Sequence, residues 1–232
     1  MKNKSIKFAV EYDFINLPRP ASKYIPDWYK ETKTKSFSGQ PEHIDLKTLK
    51  ACIPFLDALN SGYIYELWSD VEVVNNSNGI SIHWNMEQFQ PISTKPQSSI
   101  GKLQIPEGYD ETVYSFDHAL SAKTPPGYSL LITQPFNRTD LPFYVMTGII
   151  DADKYPMYNG SIPMFLKKEF SGVINRGTPM IQIIPFKRDS WNMVSDDNLL
   201  KEANKTKRIS KSYFSGWYKK NAWNRKYYND KA

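Results

Sequence analysis

The chain has 232 residues, 40% hydrophobic and 14% aromatic, with one cysteine and a net charge of +6. That length suits one domain with appendages or two small ones, and the apolar fraction suffices for one good core. No run of about 18 apolar residues offers a membrane-spanning helix, the mixed residues after Met1–Lys7 are not a signal peptide, and the lone Cys52 excludes an internal disulfide and a cysteine-based zinc site; a soluble protein of a reducing compartment is expected.

Sixteen prolines against 11 glycines favour short strands and defined turns over long helices. Residues 1–50 read as an arm: Leu17-Pro18-Arg19-Pro20 and Ile25-Pro26-Asp27 interrupt any early helix. Asp27 can cap a short helix through Trp28, Tyr29 and Lys30. Ser36–Glu42 reads as a loop, and Asp45–Leu49 as one helical turn.

From Ile53 the texture becomes β-forming, and residues 51–190 are expected to make a β domain. Tyr63–Trp68 and Val71–Val74 are strands, Asn78-Gly79 marks a hairpin, and Ile80–Trp84 alternates with period two. Gln88–Ile100 is polar and carries prolines, which predicts a long loop. Thr124-Pro125-Pro126-Gly127 is a turn before the strand Tyr128–Thr133, and Phe143–Ile150, Ser161–Leu166 and Pro179–Phe186 are further strands. Many short strands between Gly, Pro and Asn argue for a mainly β sandwich or barrel-like fold.

Residues 191–232 form a basic, aromatic tail, with helix expected over Asn198–Asn229 in one or two pieces broken near Ser215-Gly216. From Lys201 onward ten bases face two acids, a net +8, so everything before carries −2. The bases are interleaved with Tyr213, Phe214, Trp217, Tyr218, Trp223, Tyr227 and Tyr228. This pattern suits stacking on single-stranded nucleic acid; it equally suits aromatics docked on the core or a neighbouring subunit, with lysines facing water.

Gly148-Ile149-Ile150-Asp151-Ala152-Asp153-Lys154-Tyr155 resembles the third motif of trimeric dUTPases: a glycine, two aliphatics, Asp, any residue, Asp, then Tyr. The follow-on strand, turn and glycine-led strand read Ile162–Leu166, Gly172–Arg176 and Gly177–Ile184, where Gln182 matches the family and its alanine partner does not. Asp57–Tyr63 with Leu67 resembles the first motif, through its Gly62-Tyr63 pair, and Thr124–Pro135 falls at the proline-glycine turn and second motif. The resemblance covers about 130 residues, in the right order, and implies a β-clip or distorted-barrel core. The chain also resembles phage-encoded proteins with the same Pro-Pro-Gly-Tyr-Ser, Asn-Arg and Gly-Thr-Pro pieces, which implies a viral or prophage origin and no particular activity.

The departures bear on chemistry. The family's metal-holding Asp after Gly-Tyr is here Ile64, its Arg-Ser-Ser is here Pro135-Phe136-Asn137-Arg138, and its glycine-rich closing motif is absent. The resemblance implies that Asp151 orients an attacking water, as a general base; the alternative is a turn carboxylate. It makes Gly62, Tyr63, Asn137, Arg138, Tyr155 and Gln182 the nucleotide-binding candidates. Tyr155 would pack on a sugar or in ordinary contacts. Arg138 would meet phosphate through its donor fork or pair with Asp140 or Asp151; Gln182 would meet phosphate or a buried backbone group. His43, His83 and His118 are scattered, so no metal site is read from them, and Asp117 and His118 alternate faces if on a strand. No Gly-rich phosphate loop and no Gly-x-Ser-x-Gly appear. Magnesium would enter only alongside a bound nucleotide.

Three functions compete. One is a dUTPase-like nucleotide binder lacking full dUTPase chemistry, a homotrimer in the host cytoplasm during infection. Another is a structural or interaction protein on the same scaffold, such as a virion component. The last is nucleic-acid binding through the basic tail, which would weaken steeply with salt.

Overall fold

Short β-forming segments bounded by proline, glycine and asparagine give a mainly β protein with helices at its C-terminal end, as expected. The structure is a computed structural model and describes residues 4–36, 46–77, 79–85, 89–158, 160–212 and 216–230. His43, Asn78, Tyr213, Phe214 and the Ser36–Glu42 loop beyond Ser36 lie outside the described residues. The elements in chain order are β1 Lys7–Val10, β2 Arg19–Pro20, α1 Asp27–Glu31, β3 Lys35–Ser36, β4 Leu46–Lys47, α2 Ile53–Asn60, β5 Tyr63–Glu66, β6 Val71–Asn76, β7 Gly79–Trp84 and β8 Ile92–Lys95. They continue with β9 Val113–His118, β10 Leu120–Lys123, β11 Tyr128–Thr133, β12 Phe143–Val145, β13 Gly148–Ile150, β14 Gly160–Leu166, β15 Gly172–Ile174, β16 Pro179–Lys187, α3 Asp197–Ser212 and α4 Trp217–Asn221.

The chain divides into two compact units. One comprises Met1–Pro26, Leu59–Arg188 and Tyr228–Ala232, and holds the strands other than β3 and β4. Its sheets are antiparallel: five strands in the order β13-β11-β16-β5-β2, four in the order β12-β14-β9-β8, three in the order β15-β6-β7, and the pair β1-β10. The sheets share a core that includes Tyr65, Phe116, Leu130, Phe143, Met164 and Ile181, each at most 1% exposed. Large aromatic and aliphatic side chains on alternating strand positions supply this apolar burial.

Several expectations are corrected. Gln88–Ile100 contains a strand, β8, because Ile92 is fully buried and Ile92–Lys95 pairs along its length with β9, so tertiary pairing overrides a weak local pattern between prolines. Phe143–Ile150 is two strands in different sheets, β12 on β14 and β13 on β11. Of the helical turn expected over Asp45–Leu49, Asp45 lies outside the described residues and the rest is replaced by β4, with a 3-10 turn at Leu49–Ala51 capped by the Thr48 hydroxyl. Within residues 1–50, β1 adds to β10 from Lys7↔Lys123 to Val10↔Leu120.

The second unit comprises Asp27–Ala58 and Asp189–Tyr227. Tyr29 on α1 is buried and stacks on Phe55, while the Lys50 ammonium donates to the Tyr29 and Lys30 carbonyls and lies over the Tyr29 ring. Asp57 accepts from the Trp223 indole at 2.9 Å and from Lys226 at 2.6 Å. Helix α3 has no buried residue, and helix stops at Asn221 instead of reaching Asn229. No helix among the described residues is long and apolar enough to cross a membrane.

Candidate functional site

Strand β13 ends the five-stranded sheet, and the chain turns sharply as it leaves. Ala152 is fully buried with its amide on the Ile150 carbonyl, and the Asp151 carbonyl accepts the Lys154 and Tyr155 amides at 3.0 Å. Two carboxylates flank Ala152 and divide the work. Asp153 accepts a double hydrogen bond from the Arg188 guanidinium and one from the Gly127 amide at 2.8 Å. Arg188, joined by the Gly127 amide, holds the Asp153 carboxyl far below the usual carboxylate range. Asp153 thus ties the turn to the Pro126-Gly127 corner.

Asp151 meets the same guanidinium but stays more open to solvent. Its Oδ1 accepts from the Ser129 hydroxyl at 2.6 Å and lies 3.1 Å from Arg188, while its side chain stays 52% exposed. The Ser129 hydrogen bond, then the Arg188 charge, holds this carboxyl below its ordinary value. An ionised, weakened base of this kind accepts hydrogen bonds well and takes protons poorly.

Asp151 and Tyr155 line one cavity of about 760 Å³, walled by β13, the turn and the start of β14. Its surface is mostly apolar backbone and side chains from Ile132, Ile149, Met157 and Ile162. Tyr155 and Tyr158 stand on it with ring centroids 5.3 Å apart, each more than half exposed. Among the described lining residues there is no lysine or arginine, and Asp151 is the one formal charge.

The other expected residues lie elsewhere in this unit. Gly62 has φ +71°, and a Cβ there would sit 2.1 Å from the Ile183 carbonyl oxygen, so only glycine fits between β5 and β16. Tyr63 lines a separate cavity of about 690 Å³ with Arg19, Asn16 and Asp230, edges against Phe8 and Tyr228, and donates to the Asn229 carbonyl. Burial, and then Tyr228, raises its phenol. Gln182, 1% exposed, accepts from the Phe136 amide at 2.8 Å and donates to the Ser61 carbonyl at 2.5 Å. Asn137 is the one described non-glycine residue at positive φ, in the turn closed by the Arg138 amide on the Pro135 carbonyl. Arg138 forks onto Asp140, whose carboxyl this pair lowers against the opposing effect of burial. Ile64, at the family's metal-carboxylate position, is 3% exposed.

One residue that the sequence reading noted only as a scattered histidine lies at the cavity. His118, at the end of β9, is 5% exposed and lines both the Asp151 cavity and a neighbouring cavity of about 490 Å³ with Asp117. Burial lowers its pKa to about 4, so the ring is neutral near pH 7. Separated by 30 residues from Gly148, where the motif begins, it carried no spacing signal. Among the described residues no group of three or more His, Cys, Asp or Glu is placed to hold a metal ion.

No protein-family model matches the chain, and no curated protein matches it. Among solved structures it is similar to the dUTPase of Staphylococcus bacteriophage 80alpha with dUpNHpp: 12% identity, covering 83% of this chain and 88% of that chain, at a TM-score of 0.37. It is similar, too, to a mutant dUTPase from phage phi11 of S. aureus, described for the coordination of a structural Mg(II) ion: 11% identity, 83% and 97% coverage, TM-score 0.37.

Proposed function

We propose that this protein binds a nucleoside or nucleotide in the Asp151 cavity and does not perform dUTP hydrolysis. The observation that carries the reading is the cavity itself: an apolar pocket beside a terminal strand, two exposed tyrosines on it, and one ionised carboxylate. Planar heterocycles stack on such rings, and Asp151 is set to accept from a sugar hydroxyl or a bound water. Pyrophosphate chemistry needs charge neutralisation. The residues that supply it in the resembling enzymes are replaced by buried Ile64 and by an Arg138 already forked onto Asp140. A homotrimer, with the site completed by a neighbouring subunit, belongs to this reading.

A thermal-shift screen against dUTP, dCTP, other nucleotides and cyclic dinucleotides, with and without magnesium, tests it. Ligand at 100 times its Kd stabilises by about 2.7 kcal/mol, a shift of several degrees at this size. The shift is expected to vanish in Tyr155→Ala and Asp151→Asn, with no hydrolysis above background. No shift with any nucleotide overturns the reading.

A second reading has its own support. Trp191, Met193 and Val194 are 80–99% exposed, and Leu199 and Leu200 on α3 are more than 60% exposed. Such a stretch is a candidate contact for a partner in an assembly, such as a virion. Finding the protein in purified particles would favour this role; its absence from them, with early expression, would count against it.

A further inference from the structure

Among the polar groups lining the cavity is a buried imidazole that neither reading above uses, His118. His118 and Gly160 are directly paired across β9 and β14, and both line the cavity. The absence of a side chain at Gly160 matters: a Cβ there would stand 3.1 Å from the His118 Nε2. Gly160 has no positive-φ requirement, so the reason for glycine at this point is space in front of the imidazole. The other ring nitrogen is occupied, since Nδ1 accepts from the Leu120 amide at 3.4 Å. An imidazole whose Nδ1 accepts carries its proton on Nε2. The ring therefore aims a neutral N–H donor at the gap beside Gly160.

We propose that His118 reads the ligand of this site, its Nε2–H donating to an uncharged acceptor such as a carbonyl oxygen or ring nitrogen of a heterocyclic base. This rests on the nucleoside-binding reading and narrows it. Because the cavity is lined by no described lysine or arginine and carries the negative Asp151, it recognises the nucleoside end of a ligand and gives its phosphates nothing. Burial keeps the ring uncharged, so it offers the ligand a hydrogen bond and no positive charge to hold a phosphate.

The test follows the imidazole nitrogens by long-range ¹⁵N–¹H spectroscopy. The chain has only three histidines, so His43→Gln and His83→Gln variants assign the His118 signals. The probes are deoxyuridine, deoxycytidine, thymidine, deoxyadenosine and inorganic tripolyphosphate. The expected spectrum has the proton on Nε2. At least one nucleoside should shift that nitrogen together with the Tyr155 and Tyr158 ring signals, and tripolyphosphate should shift neither. Gly160→Ala, which puts a methyl in front of Nε2, should weaken that nucleoside about tenfold, the worth of one lost hydrogen bond. If that variant does not fold, the ring spectrum of the unaltered protein still decides. Movement of Tyr155 and Tyr158 with a silent His118, or unweakened binding by folded Gly160→Ala, overturns the His118 role and leaves nucleoside binding standing. No response of any of these rings to any nucleoside overturns both.

Discussion

Replacing Gln182 with methionine separates a structural from a ligand-binding role at one position. The side chain is 1% exposed and spans two backbone groups, accepting from the Phe136 amide and donating to the Ser61 carbonyl. Methionine keeps the unbranched shape and loses both bonds. A buried group left without its partner costs about 1–3 kcal/mol. Phe136 and Ser61 are half-buried, which places each near the lower end and the pair at about 2–3 kcal/mol. At this chain length each kcal/mol moves the midpoint by about 2–4 °C, so calorimetry should record a drop of about 4–12 °C. Nucleoside binding, measured well below the new midpoint, should survive. An unchanged midpoint with binding lost would refute the reasoning and return Gln182 to the ligand.

Gly62→Ala must push the new methyl against the Ile183 carbonyl at a left-handed backbone position; a loss above about 3 kcal/mol is expected, read as insoluble or urea-sensitive protein, and a wild-type urea midpoint would contradict it. Asp57→Ala removes the acceptor of Trp223 and Lys226; limited proteolysis should then cleave within residues 222–227 faster than in the wild type, and equal rates would show that the pair does not hold that segment. His118 gives a pH dependence. Its folded pKa of about 4 lies below the unfolded value, so the unfolded chain takes the proton first. Stability should fall as pH drops from about 6.5 to about 4, by up to about 1.4 kcal/mol per unit, and this contribution levels off below that range. Half-buried Asp117, whose carboxyl burial raises, opposes the trend, while Asp151 and Asp153 lose stability only at lower pH. Urea unfolding at pH 7 and 5 should therefore show a larger loss for the wild type than for His118→Gln, and equal losses would contradict the assignment.

Strands with clear alternation or turn flanks, such as β7, β11 and β16, were legible in the sequence, as was the break near Gly216 between α3 and α4. Strand β8 was not, because Ile92-Ser93-Thr94-Lys95 sits between Pro91 and Pro96 and its one deeply buried residue leaves little pattern. The division of Phe143–Ile150 between two sheets was equally hidden, since both halves are β-forming and only tertiary pairing separates them. At the site, the run from Gly148 to Tyr155 was visible as a motif. The division of labour between Asp151 and Asp153 was not, for it depends on Arg188, 35 residues beyond Asp153. His118 was named only as one of three scattered histidines, because its place at the site comes from the cross-strand Gly160.

The measurement that bears most directly on the central claim is amide hydrogen exchange, with and without the nucleotide or nucleoside that gives the largest thermal shift. The account predicts slowed exchange in peptides covering 148–158 and 160–163, the walls of the Asp151 cavity, and none around Arg19 and Tyr63. Protection centred on the Tyr63 cavity, or no protection at saturating ligand, would contradict it.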